Sequence, residues 1–469
     1  MDDSPKDPKI AGLPNSTFAK ESLMHCNHLG IAALFATTVL IVLATSAPAQ
    51  IVPPPGGDDG GINPDQVIIQ WPSRRYPTIQ AAIDALPAHG KLLIREGTFR
   101  VQEPINIVRP ITIQGAGCRF DTESIGTAAA GELTTVSDGV DQDRPFTRLR
   151  GPRPQVVVEP ELSDGLLNFI GPEAGGVIRG LELVGFDAGV FLKEIPGASA
   201  ADAISAGTLE VASIEAVTIS ETCFIRNGRG LLAKTSAPVA VRNSVFKNNM
   251  WNAISASGDP RVGPALFSLE HTLISTARNS CLFFDTKYAV ITDSLYGYCG
   301  PGGAVGAINS ILSVTSASFT ALNGPGITLI DSTANLRYTT ISGAKKYGIV
   351  ALRSVLTVEA NSQVTDTQPT SNGSFGDGIV ALEHSNALLL NSQVRNSPRS
   401  AVGNFGSSMT LGNMRLKCAA FELQGEPFLG RNFAFTDLGN NKCGCPTANE
   451  TCVADSIGLL PPERVTPTE

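Results

Sequence analysis

The sequence predicts an all-β solenoid, a single long domain wound from rungs of about 22 residues. Three observations predict it. Between Thr222 and Leu416 a small residue is followed two positions later by a large apolar one, again and again: Thr222/Phe224, Ser244/Phe246, Thr272/Ile274, Ser294/Tyr296, Ala317/Phe319, Thr339/Ile341, Ser362/Val364, Ser392/Val394 and Met414/Leu416. The apolar member recurs at steps of 22, 28, 22, 23, 22, 23, 30 and 22 residues, so the two long steps are rungs carrying surface insertions of six and eight residues. Composition points the same way: 47 Gly and 31 Pro with only 17% charged and 6% aromatic residues suit short strands and tight turns, not a helical bundle. No Leu-x-x-Leu-x-Leu recurs, which removes the leucine-rich solenoid as a rival. A solenoid grows by adding neighbours to one continuous core, so 469 residues need not be divided into several domains.

Charge narrows the partners. A formal net charge of -8 without a basic stripe excludes a nucleic-acid ligand. It also means that an acidic polysaccharide would need a cation or a local basic patch to bind.

Taken in chain order, Leu29 to Ala44 is a 16-residue apolar run followed by Ala47-Pro48-Ala49, the small-x-small form of a secretory cleavage site. Residues 1–49 are therefore expected to be a signal peptide with a long leading region, placing the chain outside the cytoplasm, secreted or in the cell envelope. Met24 is an alternative start, although no Lys or Arg lies between it and the apolar run. A signal-anchor helix is the competing reading, and 16 residues fall short of the roughly 20 that span a bilayer. Residues 50–67, with Pro53-Pro54-Pro55-Gly56-Gly57, read as an extended tether.

Next, Ile79, Ala82, Ile83 and Leu86 stand at i, i+3, i+4 and i+7, the stripe of a short amphipathic helix whose apolar face must cover something. Short strands follow at Lys91 to Ile94, Ile105 to Ile107 and Ile111 to Ile113. The stretch from Tyr76 to Gly117 carries Pro77-Thr78-Ile79-Gln80-Ala81-Ala82-Ile83, Arg95-Glu96-Gly97-Thr98-Phe99 and Ile111-Thr112-Ile113-Gln114-Gly115. It resembles the opening of right-handed parallel β-helix proteins of the pectin-lyase-like superfamily. The resemblance implies a parallel β-helix over residues 68–425 with the helix capping its N-terminal end.

Stacked parallel strands lie about 4.8 Å apart, so equivalent residues of successive rungs form columns. Phe224, Phe246, Ile274, Tyr296, Phe319, Ile341, Val364, Val394 and Leu416 are expected to make one apolar stack. One place before the small-residue column stand Glu221, Asn243, His271, Asp293, Ser316, Tyr338, Asn361, Asn391 and Asn413, suited to a backbone bend. Further along each rung, Gly230-Leu231-Leu232-Ala233, Gly326-Ile327-Thr328-Leu329, Gly348-Ile349-Val350-Ala351-Leu352 and Gly378-Ile379-Val380-Ala381-Leu382 read as glycine turns into strands. Residues 118–153 read as an excursion from the coil, and 426–469, without a rung pattern, as a cysteine-rich cap and tail.

With residues 1–49 removed, eight cysteines remain: Cys118, Cys223, Cys281, Cys299, Cys418, Cys443, Cys445 and Cys452. An even number in an exported chain favours disulfides, and Cys418, Cys443, Cys445 and Cys452 are the clustered candidates. Their spacing also admits a metal, but no His lies near them; the pairing is open.

For chemistry, Asp331, Arg353 and Glu383 fall at one column just after those strands, with Asp285 assigned to it two rungs earlier. Acid, base and acid on neighbouring rungs can bind a sugar carboxylate or a cation, and a desolvated Arg353 could support proton abstraction from a uronate. The same residues can equally stack as weak surface ion pairs. If Val350, Leu352, Val380 and Leu382 point inward, Ile349 and Ile379 form an outward apolar stripe beside this column, either a binding groove or, the favoured reading, a face covered by a loop. Trp251 is a candidate for stacking on a sugar ring, His384 a candidate base and His271 structural.

The enzymatic motifs that the resemblance would imply are absent. Asp58-Asp59 lies in the tether instead of the coil, and Asp259-Pro260 runs on into Arg261-Val262 without the His-Asp of mannuronan epimerases. The reading is a secreted or cell-envelope protein binding polysaccharide or a cell-surface glycan along one face of the coil. A polysaccharide lyase or glycoside hydrolase acting on uronate-containing glycans is the alternative. No metal site and no cofactor are expected, Ca2+ entering only if the chain is a lyase.

Overall fold

The computed structural model describes residues 67–119, 145–151, 165–171, 174–193, 217–261 and 264–461. The expected signal peptide, nearly all of the tether, the middle of the 118–153 excursion and the last eight residues lie outside them. Within them the chain forms three parallel sheets of 14, 13 and 13 strands, in which each strand pairs with its counterparts one rung before and after. This is the right-handed parallel β-helix that the opening motif implied.

One rung shows the plan. Val239–Arg242 lies in the 14-stranded first sheet, Val245–Asn249 in the third, and Ile254–Ser257 in the second; Ala265–Glu270 then returns to the first. The chain turns between sheets at single residues with positive φ. All nine residues of the expected bend column do so, with φ between 46° and 60°. A left-handed conformation costs a residue with a Cβ roughly 1–2 kcal/mol, least for Asn and Asp, which explains the five Asn and Asp at this corner. The charged column is a second such corner, with Asp331, Arg353 and Glu383 at φ 49°, 49° and 50°.

The nine apolar residues from Phe224 to Leu416 are paired in register, each 2% exposed or less. The Phe224 and Phe246 rings stack at 4.4 Å and Tyr296 on Phe319 at 5.0 Å. The column begins earlier than the repeat suggested, through Phe99, Leu149 and Leu183, and ends at Cys443.

The small-residue column has a polar role. The Ser244, Ser294 and Ser362 hydroxyls accept the amides of Thr222, Thr272 and Thr339 on the preceding rungs at 3.3, 3.1 and 3.1 Å. Each hydroxyl of this kind donates to a carbonyl nearby, as Ser244 does to Arg242 at 2.7 Å. A second hydroxyl spine was not anticipated. Ser310, Ser332, Ser354, Ser385 and Ser407 accept the amides of Lys287, Ser310, Ser332, Ser354 and Ser385 in turn, at 3.0–3.1 Å.

The expected orientation of the second sheet is reversed. Ile349, Ala351, Ile379 and Ala381 belong to the coil interior, whereas Val350, Leu352, Val380 and Leu382 cluster on its outer side with Tyr347 and Phe405. The reason lies at the glycines. A Cβ on Gly348 would lie 2.2 Å from Val364, and one on Gly378 2.3 Å from Val394, so each glycine passes directly against the interior stack. The next residue faces inward too, shifting the alternation by one. The outer cluster is buried, with Phe428 and Ile330 packed against it, so both faces of these strands are covered.

At the N-terminal end Thr78 caps the helix Ile79–Asp84, which buries Ile79, Ala82 and Ile83. Gln80 then closes a strand edge: its amide donates to the Asn106 carbonyl at 3.1 Å and accepts the Asn106 N–H at 2.8 Å.

At the other end the coil runs past residue 425. Ala434–Asp437, Lys442–Cys443 and Ala454–Asp455 add a last strand to each sheet, so the expected cap is itself a final rung. Likewise Thr147–Arg150, inside the expected excursion, is a strand of the third sheet. The eight cysteines form four disulfides, Cys118–Cys223, Cys281–Cys299, Cys418–Cys445 and Cys443–Cys452, as expected of a protein made in an oxidising compartment. Among the described residues no helix is long and apolar enough to cross a membrane.

Candidate functional site

Two places combine charge with regular backbone. The first is the expected charged corner. Arg353 donates to Asp331 through Nε at 2.8 Å and Nη2 at 2.7 Å, and to Glu383 through Nη1 at 3.0 Å. Asp331 and Arg353 are about two-fifths exposed and Glu383 is 5% exposed. The hydrogen bond from Arg353 holds the Asp331 carboxyl below its usual range, against a smaller desolvation effect. Hydrogen bonding to Asp331 raises the Arg353 pKa further, opposed by desolvation and assisted by Glu383. A guanidinium so paired is a poorer base than a free one. The corner is an ion-paired triad.

Asp285 does not join it. The register pairs Asp285 with Ile308, which pairs in turn with Ile330 and Leu352, one place before the corner; Thr286, with φ 54°, holds the equivalent position. One residue of shift along a strand changes the face presented. Asp285 instead accepts the Thr286 hydroxyl at 3.1 Å. Trp251 is half-buried between Val245–Asn249 and Ile254–Ser257, at the corner joining the third and second sheets, not the corner that holds the triad. The insertion in its rung lies farther on, before Ala265–Glu270. His271 sits at the bend with Glu270 and Asp293 each 3.9 Å away, and His384 is exposed beside Glu383 with φ 67°.

The second place is a groove of about 900 Å³ on the outer side of the third sheet and its corner toward the second. Six cationic side chains line it: Arg119, Arg148, Arg150, Arg226, Lys247 and Arg278. Among the described residues Glu182 is the one carboxylate in the lining. Its side chain is fully buried and held by two of the cations, with Arg148 Nε at 3.1 Å and Arg119 Nε at 3.3 Å. Burial raises the Glu182 carboxyl pKa above its ordinary value, and the hydrogen bond from Arg148 opposes that shift. Arg119 and Arg148 also lie over the Phe146 ring, 4.7 and 5.5 Å from its centre. Arg150, Arg226 and Arg278 are exposed and enter no ion pair among the described residues.

The fold assembles this groove from distant segments. Arg148 and Arg150 flank Leu149, which fills the apolar stack, so both point outward. Arg150 aligns with Val184, Ile225 and then Lys247 on successive rungs. Arg119 is held by its neighbour Cys118, whose disulfide reaches Cys223 on the strand paired with Glu182–Val184. Gly151 is required here: a Cβ would stand 2.2 Å from the Phe186 ring. Sequence reading passed over the groove because its six cations span 160 positions, Arg119 to Arg278, and converge only through strand register. The available signal was Arg148-Leu149-Arg150, an alternation typical of a strand with one wet face.

Among the described residues no group of three or more His, Cys, Asp or Glu side chains is placed to hold a metal ion. What the groove can do is bind anions. Arginine offers paired N–H donors matched to a carboxylate, and among the described residues three of the groove's arginines enter no ion pair.

No protein-family model matches the chain, and no curated protein does. Solved structures of similar architecture include the A-module of the Azotobacter vinelandii mannuronan C-5 epimerase AlgE4, at 13% identity and a TM-score of 0.47, covering 78% of this chain and 94% of that one. The catalytic unit of a GH87 α-1,3-glucanase from Streptomyces thermodiastaticus aligns at 14% identity and a TM-score of 0.40, over 80% of this chain and 67% of its own. A GH87 α-1,3-glucanase catalytic domain in complex with tetrasaccharides aligns at 12% and 0.46, over 83% and 70%. These likenesses are of coil architecture and assign no residue of this chain a role.

Proposed function

We propose that this protein is a secreted or cell-envelope β-helix that binds an acidic polysaccharide in the basic groove of its third sheet. One observation carries the reading: among the described residues six cations line the groove, and the one carboxylate there is already held by two of them. The chain as a whole is negative, at -8, so the groove is the local basic patch that a uronate-bearing ligand requires. The four disulfides support an extracytoplasmic setting, where such polymers are met.

Binding is favoured over turnover by the same residues. Glycoside hydrolysis by the common two-carboxylate route needs a second carboxyl about 5–10 Å from the first, and among the described residues of the lining Glu182 has none beside it. A lyase reading draws on the burial-raised pKa of Glu182, but that side chain lies beneath Arg119 and Arg148.

The test is retention on immobilised polygalacturonate and alginate against a neutral glucan, with and without Ca2+, while following release of unsaturated ends. The protein should be retained on the acidic polymers without product release. An Arg150→Gln/Arg226→Gln/Arg278→Gln variant should bind about tenfold more weakly, from three exposed pairs of roughly 0.5 kcal/mol each. Equal retention on the neutral glucan, or full retention of the variant, would overturn the proposal. Product release lost in Glu182→Gln would replace it with the lyase.

A further inference from the structure

We infer that the outer face of the first sheet is a self-complementary surface on which a second copy of this chain docks about a twofold axis. This face is the open one. On the outer side of the second sheet Val350, Val380 and Phe405 are buried, and on that of the third Val245, Leu273 and Leu295 are buried. In the first sheet, by contrast, every outward residue of the five strands from Ala265–Glu270 to Val355–Glu359 is at least partly exposed. Strand register sorts these residues into three columns. The first is apolar: Leu266, Tyr288, Ile311 and Val355 are exposed by 42, 38, 43 and 46%, with Thr333 among them. The middle column, Ser268, Val290, Ser313, Asn335 and Thr357, is uncharged. The third reads Arg242, Glu270, Thr292, Thr315, Arg337 and Glu359.

The third column decides the partner. Its charges run plus, minus, neutral, neutral, plus, minus, and the same order read backwards has the opposite sign at every charged place. A second copy turned about an axis parallel to the strands, between Thr292 and Thr315, keeps each column opposite itself and reverses the order of the rungs. Arg242 then meets Glu359 of the second copy, Glu270 meets Arg337, and Thr292 meets Thr315. In the first column the same operation sets Tyr288 on Ile311 and Leu266 on Thr333. The other twofold arrangement, about the coil axis, sets the apolar column against the charged one and loses both matches. Within each copy Arg242 Nε lies 3.2 Å from Glu270 and Arg337 Nε 3.3 Å from Glu359, so docking joins these pairs into two four-charge networks. Six strands about 4.8 Å apart and roughly 20 Å long cover about 600 Å² per copy, or about 1,200 Å² in all, at the small end of specific interfaces, so a micromolar dimer is expected. The basic groove opens on the third sheet and stays free in this dimer, and the inference does not depend on how the groove is read.

The experiment is sedimentation equilibrium of the purified protein from low to high micromolar concentration, with paired charges exchanged in place. Arg337→Glu/Glu359→Arg keeps the net charge and the ion pair within the copy, but sets like charges opposite each other across the axis. It should weaken dimerisation by about tenfold or more. Arg242→Glu/Glu270→Arg should do the same. Mixed in equal amounts, the two variants present complementary columns to each other and should form a heterodimer about as tight as the wild-type dimer. The variant carrying all four changes should dimerise like the wild type. Ile311→Asp, at an exposed position, should dissociate the dimer with an unchanged circular dichroism spectrum. A wild-type chain that stays monomeric would overturn the inference, as would a dimer that either exchange leaves intact or that mixing fails to restore. If the wild type is monomeric but is retained on a polysaccharide, and Ile311→Asp loses that retention, the face belongs to a glycan and not to a second copy.

Discussion

Lys287 offers a test of the interior. It is fully buried where the second hydroxyl spine begins, and its ammonium donates to the Thr235 carbonyl. Burial lowers its pKa from 10.5 to about 8. The unfolded chain therefore holds this proton up to about pH 10, whereas the folded chain releases it above about 8. Between those values the folded state binds fewer protons, so stability rises with pH, and the cost is fully present below pH 8. The shift corresponds to about 3 kcal/mol at pH 7, of which roughly 1 kcal/mol is relieved between pH 7 and 9. Lys287→Met keeps the length of the side chain and removes the charge. It gives up one hydrogen bond, so the expected net gain at pH 7 is about 1–2 kcal/mol. The assay is denaturant unfolding of both proteins at pH 7, 8 and 9. The wild-type curve should climb toward the variant as pH rises. Parallel pH dependences would refute the assignment of a neutralised buried lysine, whatever the absolute offset.

Further predictions follow from packing and capping. Phe246→Ala removes a fully buried ring stacked at 4.4 Å on Phe224 and should cost about 3–5 kcal/mol in the denaturant midpoint. Arg353→Ala should cost about 1 kcal/mol, as for an exposed ion pair of good geometry, and should leave glycan retention unchanged. Glu426 Oε1 accepts the amides of Ile457, Gly458 and Leu459 at 2.9, 2.7 and 3.1 Å. Burial raises its pKa but these bonds outweigh that, so the carboxyl titrates below its usual value. The resulting stability is present above the unfolded value near 4.5 and is lost as pH falls through the folded one. Hydrogen exchange at residues 457–459 should accelerate in Glu426→Gln at neutral pH while the interior strands stay protected. Cys118→Ser/Cys223→Ser should weaken glycan binding by freeing Arg119, and should lower stability by up to about 4–5 kcal/mol for a closed loop of 105 residues.

Much of the architecture was legible because a β-helix writes its geometry as a period. Phe224 to Leu416 marked the interior stack, and Glu221 to Asn413 marked a corner at which every residue proved left-handed. Where the reading failed, it failed by one residue. Gly348 and Ile349 both face inward at a corner, so extending strict alternation from the glycine turned the second sheet inside out. The same slip placed Asp285 in a column that belongs to Thr286. The basic groove was illegible for another reason. A strand reveals which of its residues face out, but not which outward residues from other rungs stand beside them. That depends on register across insertions, and Arg119 reaches the site only through the Cys118–Cys223 bond. The last rung was missed because its strands in the second and third sheets are only two residues long, too short to show a repeat.

Those short strands bear on self-association. A coil of parallel strands ends in open ladders of amides and carbonyls, surfaces on which a second copy could continue the stack. Here Lys442–Cys443 and Ala454–Asp455 present only two residues each, tethered by Cys418–Cys445 and Cys443–Cys452. At the opposite end the Gln80 amide occupies both backbone groups of Asn106. Groups outside the repeat thus blunt two of the three C-terminal edges, and the N-terminal edge of the second sheet, against end-to-end pairing.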